Sequence, residues 1–255
     1  MHFPIYLSYK LGFLVYPFML IGRKRVSTHT YQINKNTRIF LRENTMDAFI
    51  LWETFVHKTY DYSGFEIKPE DTVVDIGGHI GIFAVYAARK ANKGKVLVYE
   101  PVPENFEILK KNKKLNKLAN LKINNSAVTS KRGYVNLNIS KSNSGGHSIH
   151  SVDTKETLKV PSITLGDIFK KNKIKKINYL KIDTEGAEFD IILNSPKEVF
   201  KNVEKIIMEY HDFVSNRNNH LEIIDYLKKC GFKVSMKGSR ILRKIFKLGI
   251  ILARR

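Results

Sequence analysis

From residue 72 onward the chain alternates short, β-branched apolar runs with longer stretches whose apolar residues recur at helical spacing. "TVVDI" reads as a buried strand, brief and ended by glycine. "GIFAVYAARKAN" follows as a helix, with Ile82, Val85, Ala88 and Ala91 along one face and Gly94 just past its end. "KVLVYE" is a second strand, "PENFEILKKNKKLNKL" a helix with Pro103 near its start, and "LKINNSAV" a third strand. "GYVNLNIS" alternates apolar and polar positions, which suits a hairpin or an edge strand, and "KVPSITLGDIFKKN" leads from strand into short helix. Strand "NYLKID", helix "EFDIILNSPKEVF" interrupted at Pro196, strand "VEKIIMEY", helix "HLEIIDYLKKCGF" and strands "KVSM" and "GIILAR" complete the order. This alternation predicts a doubly wound α/β fold, a mostly parallel sheet with helices on both faces. The last two strands have no helix between them, which puts an antiparallel strand at or near the edge.

Residues 26–71 pattern as a hairpin followed by a helix, with Trp52 and Phe55 packing on the edge of a main domain that takes residues 72–255. Residues 1–25 are apolar and aromatic, then abruptly basic. They lack the basic start and small-residue cleavage site of a signal peptide. Lys10 and Pro17 interrupt the segment, and the unbroken run Leu11–Gly22 is too short for a bilayer. Its tyrosines and phenylalanines, with Arg23, Lys24 and Arg25, suit a segment lying in the interface of an anionic membrane. Packing against the core, or along a dimer seam, is the alternative; a spanning helix is a third.

Composition narrows the class. In 255 residues, 43% hydrophobic and 11% aromatic content supports a large core and excludes a disordered chain. A formal charge of +20 favours an acidic partner such as nucleic acid, an anionic membrane or a phosphorylated substrate. The excess is mostly Lys and comes with many Asn and Ile, a bias that an AT-rich genome also imposes on any protein surface. The lone Cys230 excludes an internal disulfide and a cysteine metal cage, and fits a reducing cytoplasm. A cytoplasmic protein is expected, held peripherally at a membrane if residues 1–25 bind one.

The candidate chemistry lies at strand ends, where doubly wound sheets bind ligands. In "VVDIGGHIG" the turn reads Asp75-x-Gly77-x-x-x-Gly81, with Gly78 and His79 between. A pyrophosphate-binding turn needs G-x-G-x-x-G, and here the residue two after Gly77 is His79. An acid at the strand end repels a pyrophosphate and suits a ligand carrying an ammonium, while Gly77 and Gly81 leave room for close approach. The next strand ends in Glu100, placed to accept hydrogen bonds from both ribose hydroxyls of a nucleoside. Together these features describe S-adenosylmethionine: a nucleoside, an ammonium and a sulfonium, without phosphate. Asn125 and Ser126 lie where an adenine edge would be contacted. Further on, "KIDTEGAE" sets Asp183, Glu185 and Glu188 around Gly186, and "IIMEYH" puts Glu209 and His211 on the same rim. Acids at a helix start account for one or two of these carboxylates, but not for Asp183, which closes an apolar strand.

These residues make the chain recognisable. "VVDIGGHIGIFAVYAAR", "VYEPVPENFEILKKN", "SITLGDIF", "YLKIDTEGAEFDIIL" and "IIMEYH" resemble the FkbM family of S-adenosylmethionine-dependent methyltransferases, over about residues 70–212. The lead-in "FLRENTMDAFILWETF" is similar to the segment preceding the core in that family. The resemblance implies a class I methyltransferase (Rossmann-like) fold and O-methylation of a hydroxyl on a sugar, glycan, glycolipid or secondary metabolite. It implies that Asp75, Gly77 and Gly81 line the methionine end of the cofactor, that Glu100 meets the ribose, and that Asp183, Glu185 and Glu188 sit at the methyl-transfer end. The family usually shows Ala-Asn where Gly78-His79 stand here, so contacts of that Asn do not carry over.

On this reading Asp183 is the first choice for base or acceptor orienter and His211 the second. Glu185 and Glu188 orient neighbouring hydroxyls or, with Asp183, could hold a divalent ion. The loop "SKSNSGGHSIHS", with His147 and His150, is expected to shape the acceptor pocket. An RNA or protein methyltransferase is the alternative that the charge favours, although neither an Asn-Pro-Pro-Tyr motif nor an aromatic-rich basic strand for stacking bases is present. A non-catalytic, membrane-associated cofactor-binding protein is a third; it has no need of the acidic cluster.

Overall fold

Central parallel strands are buried on both faces, and β-branched residues suit that pleated surface; the apolar runs of this chain become such a sheet. The computed structural model describes residues 28–43, 45–138, 157–212, 219–237 and 248–255. Residues 1–25 and the loop carrying His147 and His150, for which roles are expected above, lie outside them. No helix among the described residues is long and apolar enough to cross a membrane.

The lead-in is a hairpin, β1 (Thr28–Asn34) and β2 (Thr37–Arg42), followed by helix α1 (Asp47–Trp52), which widens into a π-helical turn at Glu53–His57. The core then runs β3 (Thr72–Ile76), α2 (Ile82–Lys90), β4 (Lys95–Tyr99), α3 (Pro103–Leu115), β5 (Leu121–Asn124), β6 (Ala127–Val128), β7 (Gly133–Asn138), β8 (Thr157–Ile163) and α4 (Leu165–Asn172). It closes with β9 (Ile177–Ile182), α5 (Glu188–Leu193), α6 (Lys197–Phe200), β10 (Val203–His211), α7 (His220–Lys229), β11 (Lys233–Lys237) and β12 (Leu248–Arg254). Seven strands form the main sheet in the order β11-β12-β10-β9-β3-β4-β5. β12 runs antiparallel to both neighbours, one place in from the edge, and β10, β9, β3, β4 and β5 are mutually parallel.

Two apolar layers flank this sheet. On one face Val74, Ile76, Leu180, Ile182, Ile206 and Met208 pack against α4, α5 and α7. On the other, Val73, Val96, Tyr179 and Ile207 pack against α2, α3 and the lead-in. From Ile82 to Ala88 every residue of α2 is buried, because the sheet covers one side and the lead-in the other.

The expected strand "LKINNSAV" is two strands. The Asn125 side chain donates to the carbonyls of Glu100 (2.8 Å) and Pro101 (3.0 Å), and the chain leaves the main sheet there. Ala127–Val128 pairs instead with β8 in a three-stranded sheet, β6-β8-β7. Of the two aromatics expected on the domain edge, Phe55 packs edge-on against Tyr86 of α2 (5.6 Å). Trp52 stacks on its own neighbours Phe49 (5.9 Å) and His57 (5.1 Å).

Two asparagines one turn apart, Asn112 on α3 and Asn116 just past its end, hold the hairpin to the core. Asn112 accepts from the Phe40 amide (2.7 Å) and donates to the carbonyls of Phe40 (2.9 Å) and Ile80 (2.8 Å). Asn116 accepts from the Arg38 amide (3.0 Å) and donates to the Arg38 carbonyl (2.6 Å). Side-chain amides thereby take the place of a partner strand on that edge of β2, which pairs only with β1 among the described residues. Replacing Asn112, fully buried, with Ala strands three backbone groups, so Asn112→Ala should lower unfolding stability by roughly 2–4 kcal/mol. Urea denaturation checks this; an unchanged midpoint would show that the bridge carries no weight.

Candidate active site

The carboxyl ends of β3, β4, β9 and β10 meet beside α1 around a cavity of about 430 Å³. Gly77, Gly78, His79, Glu100, Asp183, Glu185 and Glu209 all line it; Asp75, Gly81, Asn125, Ser126, Glu188 and His211 do not.

The glycine turn serves packing more than ligand access. Gly77 has φ +84°, and a Cβ there would collide with the carbonyl oxygen of Asp183. A Cβ on Gly78 would meet Val98, and one on Gly81 would meet Leu109 of α3. The bare backbone lets β3, β9 and α3 approach one another closely, which shapes the crevice floor.

Asp75, expected to face a ligand ammonium, is completely buried behind the wall. Its Oδ1 lies 3.4 Å from the Nζ of Lys181, which lies equally far from Asp183 Oδ2. The rings of Tyr60 and Phe83 flank that ammonium, each 5.6 Å away. Burial disfavours charge on Lys181, but Asp75 and Asp183 outweigh it and hold the group above the usual lysine range. Burial pushes the Asp75 carboxyl up to about 6, with Lys181 opposing.

Glu100 stands at the end of β4 as expected. Its Oε2 accepts from the His79 amide (2.7 Å) and its Oε1 from the Val102 amide (2.9 Å). The Asn105 side chain donates a further hydrogen bond to this carboxylate, and the lone-pair capacity that remains can meet a diol. Burial raises this carboxyl to about 7 against those two amides. His79 has φ +49°, and its Nε2 lies 3.0 Å from Arg42 Nη2 and 3.5 Å from Asp47 Oδ1. Arg42 in turn grips the buried Asp47 through Nε and Nη2, each at 2.9 Å. His79 therefore ties the lead-in to the β3 turn. Beyond Glu100, the apolar side chains of Val102, Ala127 and Leu137 take the place where Asn125 and Ser126 were expected. Asn125 is spent on capping β4, and Ser126 is buried outside the wall.

The acidic end divides by role. Glu188 is completely buried. Its Oε1 accepts from the Thr184 amide (2.7 Å) and hydroxyl (2.9 Å), and its Oε2 from the Gly186 amide (2.8 Å). It clamps the turn and does not reach the crevice. His211 lies between Glu188 (Nδ1 to Oε1, 3.4 Å) and Glu185 (Nε2 to Oε2, 3.6 Å). Burial alone would lower its pKa; Glu188, Glu185 and Glu209 outweigh burial and raise it to about 10. Held as an imidazolium at neutral pH by these neighbours, it is a poor proton acceptor.

Glu185 is a wall residue that burial raises to about 7, with His211 opposing and Asp183 adding. Burial and Asp183 likewise raise Glu209 to about 8 and Glu53 to about 7. Glu53 reaches the cavity from the widened turn after α1, a kind of irregularity common at functional sites. Sequence patterning gave no sign of Glu53 or Tyr60. Lys181 left one: a lone lysine inside a central apolar strand must be paired.

A nucleoside slot, a diol acceptor at Glu100 and an acid-lined end fit S-adenosylmethionine, with Gly77, Gly78 and Glu100 as the residues that would hold it. Structural neighbours show the same fold. The fibrillarin pre-rRNA processing protein of Methanococcus jannaschii aligns with a TM-score of 0.51 at 12% identity, over 92% of this chain and 85% of its own. A putative transferase from Pyrococcus horikoshii aligns at 0.50 with 15% identity, over 91% and 71%. Fold and site together define a class I S-adenosylmethionine-dependent methyltransferase. Residues 75–234 match the profile described as the methyltransferase FkbM domain, and the chain belongs to that family. Among its relatives are "Methyltransferase 1" of Beauveria bassiana (24% identical; 81% of this chain, 89% of the relative) and the 31-O-demethyl-FK506 methyltransferase FkbM of Streptomyces tacrolimicus (23%; 73% and 82%). The hexuronic acid methyltransferase AglP of Haloferax volcanii is 25% identical over 57% of this chain and 58% of its own.

The raised groups make stability depend on pH. Glu53, Glu185 and Glu209 bind protons more tightly folded than unfolded, so their contribution is complete below their unfolded pKa and is lost as pH rises through about 7 to 8. His211 adds a contribution that is lost as pH rises through about 10. The melting temperature should therefore fall steadily between about pH 6 and pH 9, and Glu209→Gln should shrink that fall. A melting temperature that climbs over this interval contradicts the assignment.

Proposed function

We propose that the protein transfers the methyl group of S-adenosylmethionine to a hydroxyl oxygen of a sugar, glycan, glycolipid or secondary metabolite. The observation that carries this reading is the carboxylate-lined end of the crevice. Asp183, Glu185 and Glu209 offer hydrogen-bond acceptors to an acceptor molecule's hydroxyls, with the phenol of Tyr60 on the same wall. The relatives named for 31-O-demethyl-FK506 and for hexuronic acid support an oxygen acceptor on a hydroxylated molecule. The ionised share of these carboxylates repels a phosphodiester, which weighs against RNA at this end despite the charge of +20.

S-adenosylmethionine supplies an electrophilic methyl on a sulfonium. The chain's own part is to place a hydroxyl in line with it and to take the proton, which supplies much of the catalysis. The surroundings of the two carboxylates support Glu185 over Asp183 as the base. Asp183 is engaged with Lys181, whereas Glu185 titrates near neutrality, where a general base works best. Asp183, braced by Lys181, orients the hydroxyl. Glu188 and His211 position the turn on which Glu185 stands.

Incubating the protein with methyl-labelled S-adenosylmethionine and separate glycan, glycolipid, metabolite and RNA fractions tests the acceptor. Label in an alkali-stable ether of a hydroxylated fraction is expected; label confined to RNA or protein overturns the proposal. With an acceptor in hand, kcat/KM should rise about tenfold per pH unit up to pH 7 and then level off. Glu185→Gln should lose roughly 10²–10⁴-fold in kcat while still binding S-adenosylhomocysteine.

A further inference from the structure

We propose that Asp183, Glu209 and His211 form a binding site for a divalent cation of the Mn²⁺ type, at the acceptor end of the crevice. The placement rests on the hydroxyl-transfer reading above; the binding site itself does not. Its origin is strand register. Lys181 of β9 pairs with Ile207 of β10, and the period of two along each strand puts Asp183 and Glu209 next on the same face, with His211 two residues further. One ligand atom from each of the three lies within 4.8 Å of the others. Three donors arranged around one ion stand roughly 3–4 Å from one another, so an inward shift on the order of 1 Å closes this set on a cation.

The histidine is oriented for this task. Glu188 is fixed by Thr184 and Gly186, and it lies 3.4 Å from Nδ1 of His211. That contact leaves Nε2 on the side of Glu185, a residue of the crevice wall. A metal-ligating imidazole is ordinarily held by a carboxylate on its other nitrogen in the same manner. An ion bound there takes the place of the Nε2 proton. Lys181 occupies Oδ2 of Asp183, which leaves Oδ1 for the ion.

Three protein ligands leave positions open for water and for the acceptor oxygen. Two carboxylates with one imidazole favour Mn²⁺: a structural zinc site demands more nitrogen or sulfur, and Mg²⁺ prefers oxygen alone. The ligand set differs from the Asp183, Glu185 and Glu188 trio that sequence spacing suggests, because Glu188 is consumed within its own turn.

Mn²⁺ titrated into the purified full chain, with free ion read by electron paramagnetic resonance, tests the site. Saturable binding near one ion per chain is expected, weakened at least tenfold by Glu209→Gln and by His211→Gln. Spin-echo modulation of the bound ion should show nitrogen coupling that His211→Gln abolishes. Binding without nitrogen coupling in the unmodified protein, or with equal affinity in Glu209→Gln, overturns the proposal. If His211→Gln does not fold, those two results decide it. Methyl labelling of separate acceptor fractions by the same preparations keeps the two readings apart. Nitrogen-coupled Mn²⁺ binding in a chain that labels only RNA or protein would sustain the ion site and refute the hydroxyl-transfer reading.

Discussion

Lys181 is an ammonium in the interior of the molecule, 3.4 Å from carboxylates on either side and flanked by two aromatic rings. It joins the end of β3 to the end of β9, and the two strands whose turns form the crevice floor cannot part without exposing an unpaired charge. A buried ion pair of this kind adds little net stability over an apolar pair, but breaking one side of it is expensive. Its consequence here is geometric. With Asp75 neutralised inside the sheet, the β3 turn can press its glycines against Asp183 and Val98, and Asp183 is held at the rim with one oxygen left for a ligand.

Around that pivot the charges sort by depth. Glu188 and His211 lie behind the wall and hold the turn that carries Glu185, while Glu53, Glu185 and Glu209 face the cavity with raised proton affinity. Each raised carboxyl reflects the same physical fact: acids gathered in a desolvated place favour protons or another cation. An enzyme that must accept a hydroxyl proton near neutral pH gains from such a cluster. The lead-in closes the other side through Arg42, Asp47 and His79, so the departure from the family's usual turn has a partner in this chain's own N-terminal segment.

Much of this was legible in the chain's periodicity. Apolar runs alternating with amphipathic stretches located the parallel sheet, and the helix-free ending placed the antiparallel strand. Strand-end acids located Glu100, Asp183 and Glu209, because a period of two fixes which residues share a face. What stayed hidden depended on long-range packing. Glu53 comes from a helix more than a hundred residues before Asp183 in sequence, and no local pattern brings the two together. Asp75 and Glu188 were visible as acids, but their burial follows from neighbours on other elements. The glycines were visible too, yet their φ angles and the atoms they admit come from β4, β9 and α3.

The pivotal role of Lys181 is open to direct measurement by calorimetric titration of S-adenosylhomocysteine into the full chain, Lys181→Met, and Lys181→Met combined with Asp75→Leu. The single substitution should cost roughly 3–5 kcal/mol of stability by leaving Asp75 unpaired, and the double should recover most of it. In the folded fraction Lys181→Met should weaken S-adenosylhomocysteine at least tenfold, about 1.4 kcal/mol, because the β3 and β9 turns lose their common anchor. Unmodified affinity and stability in Lys181→Met would contradict the account.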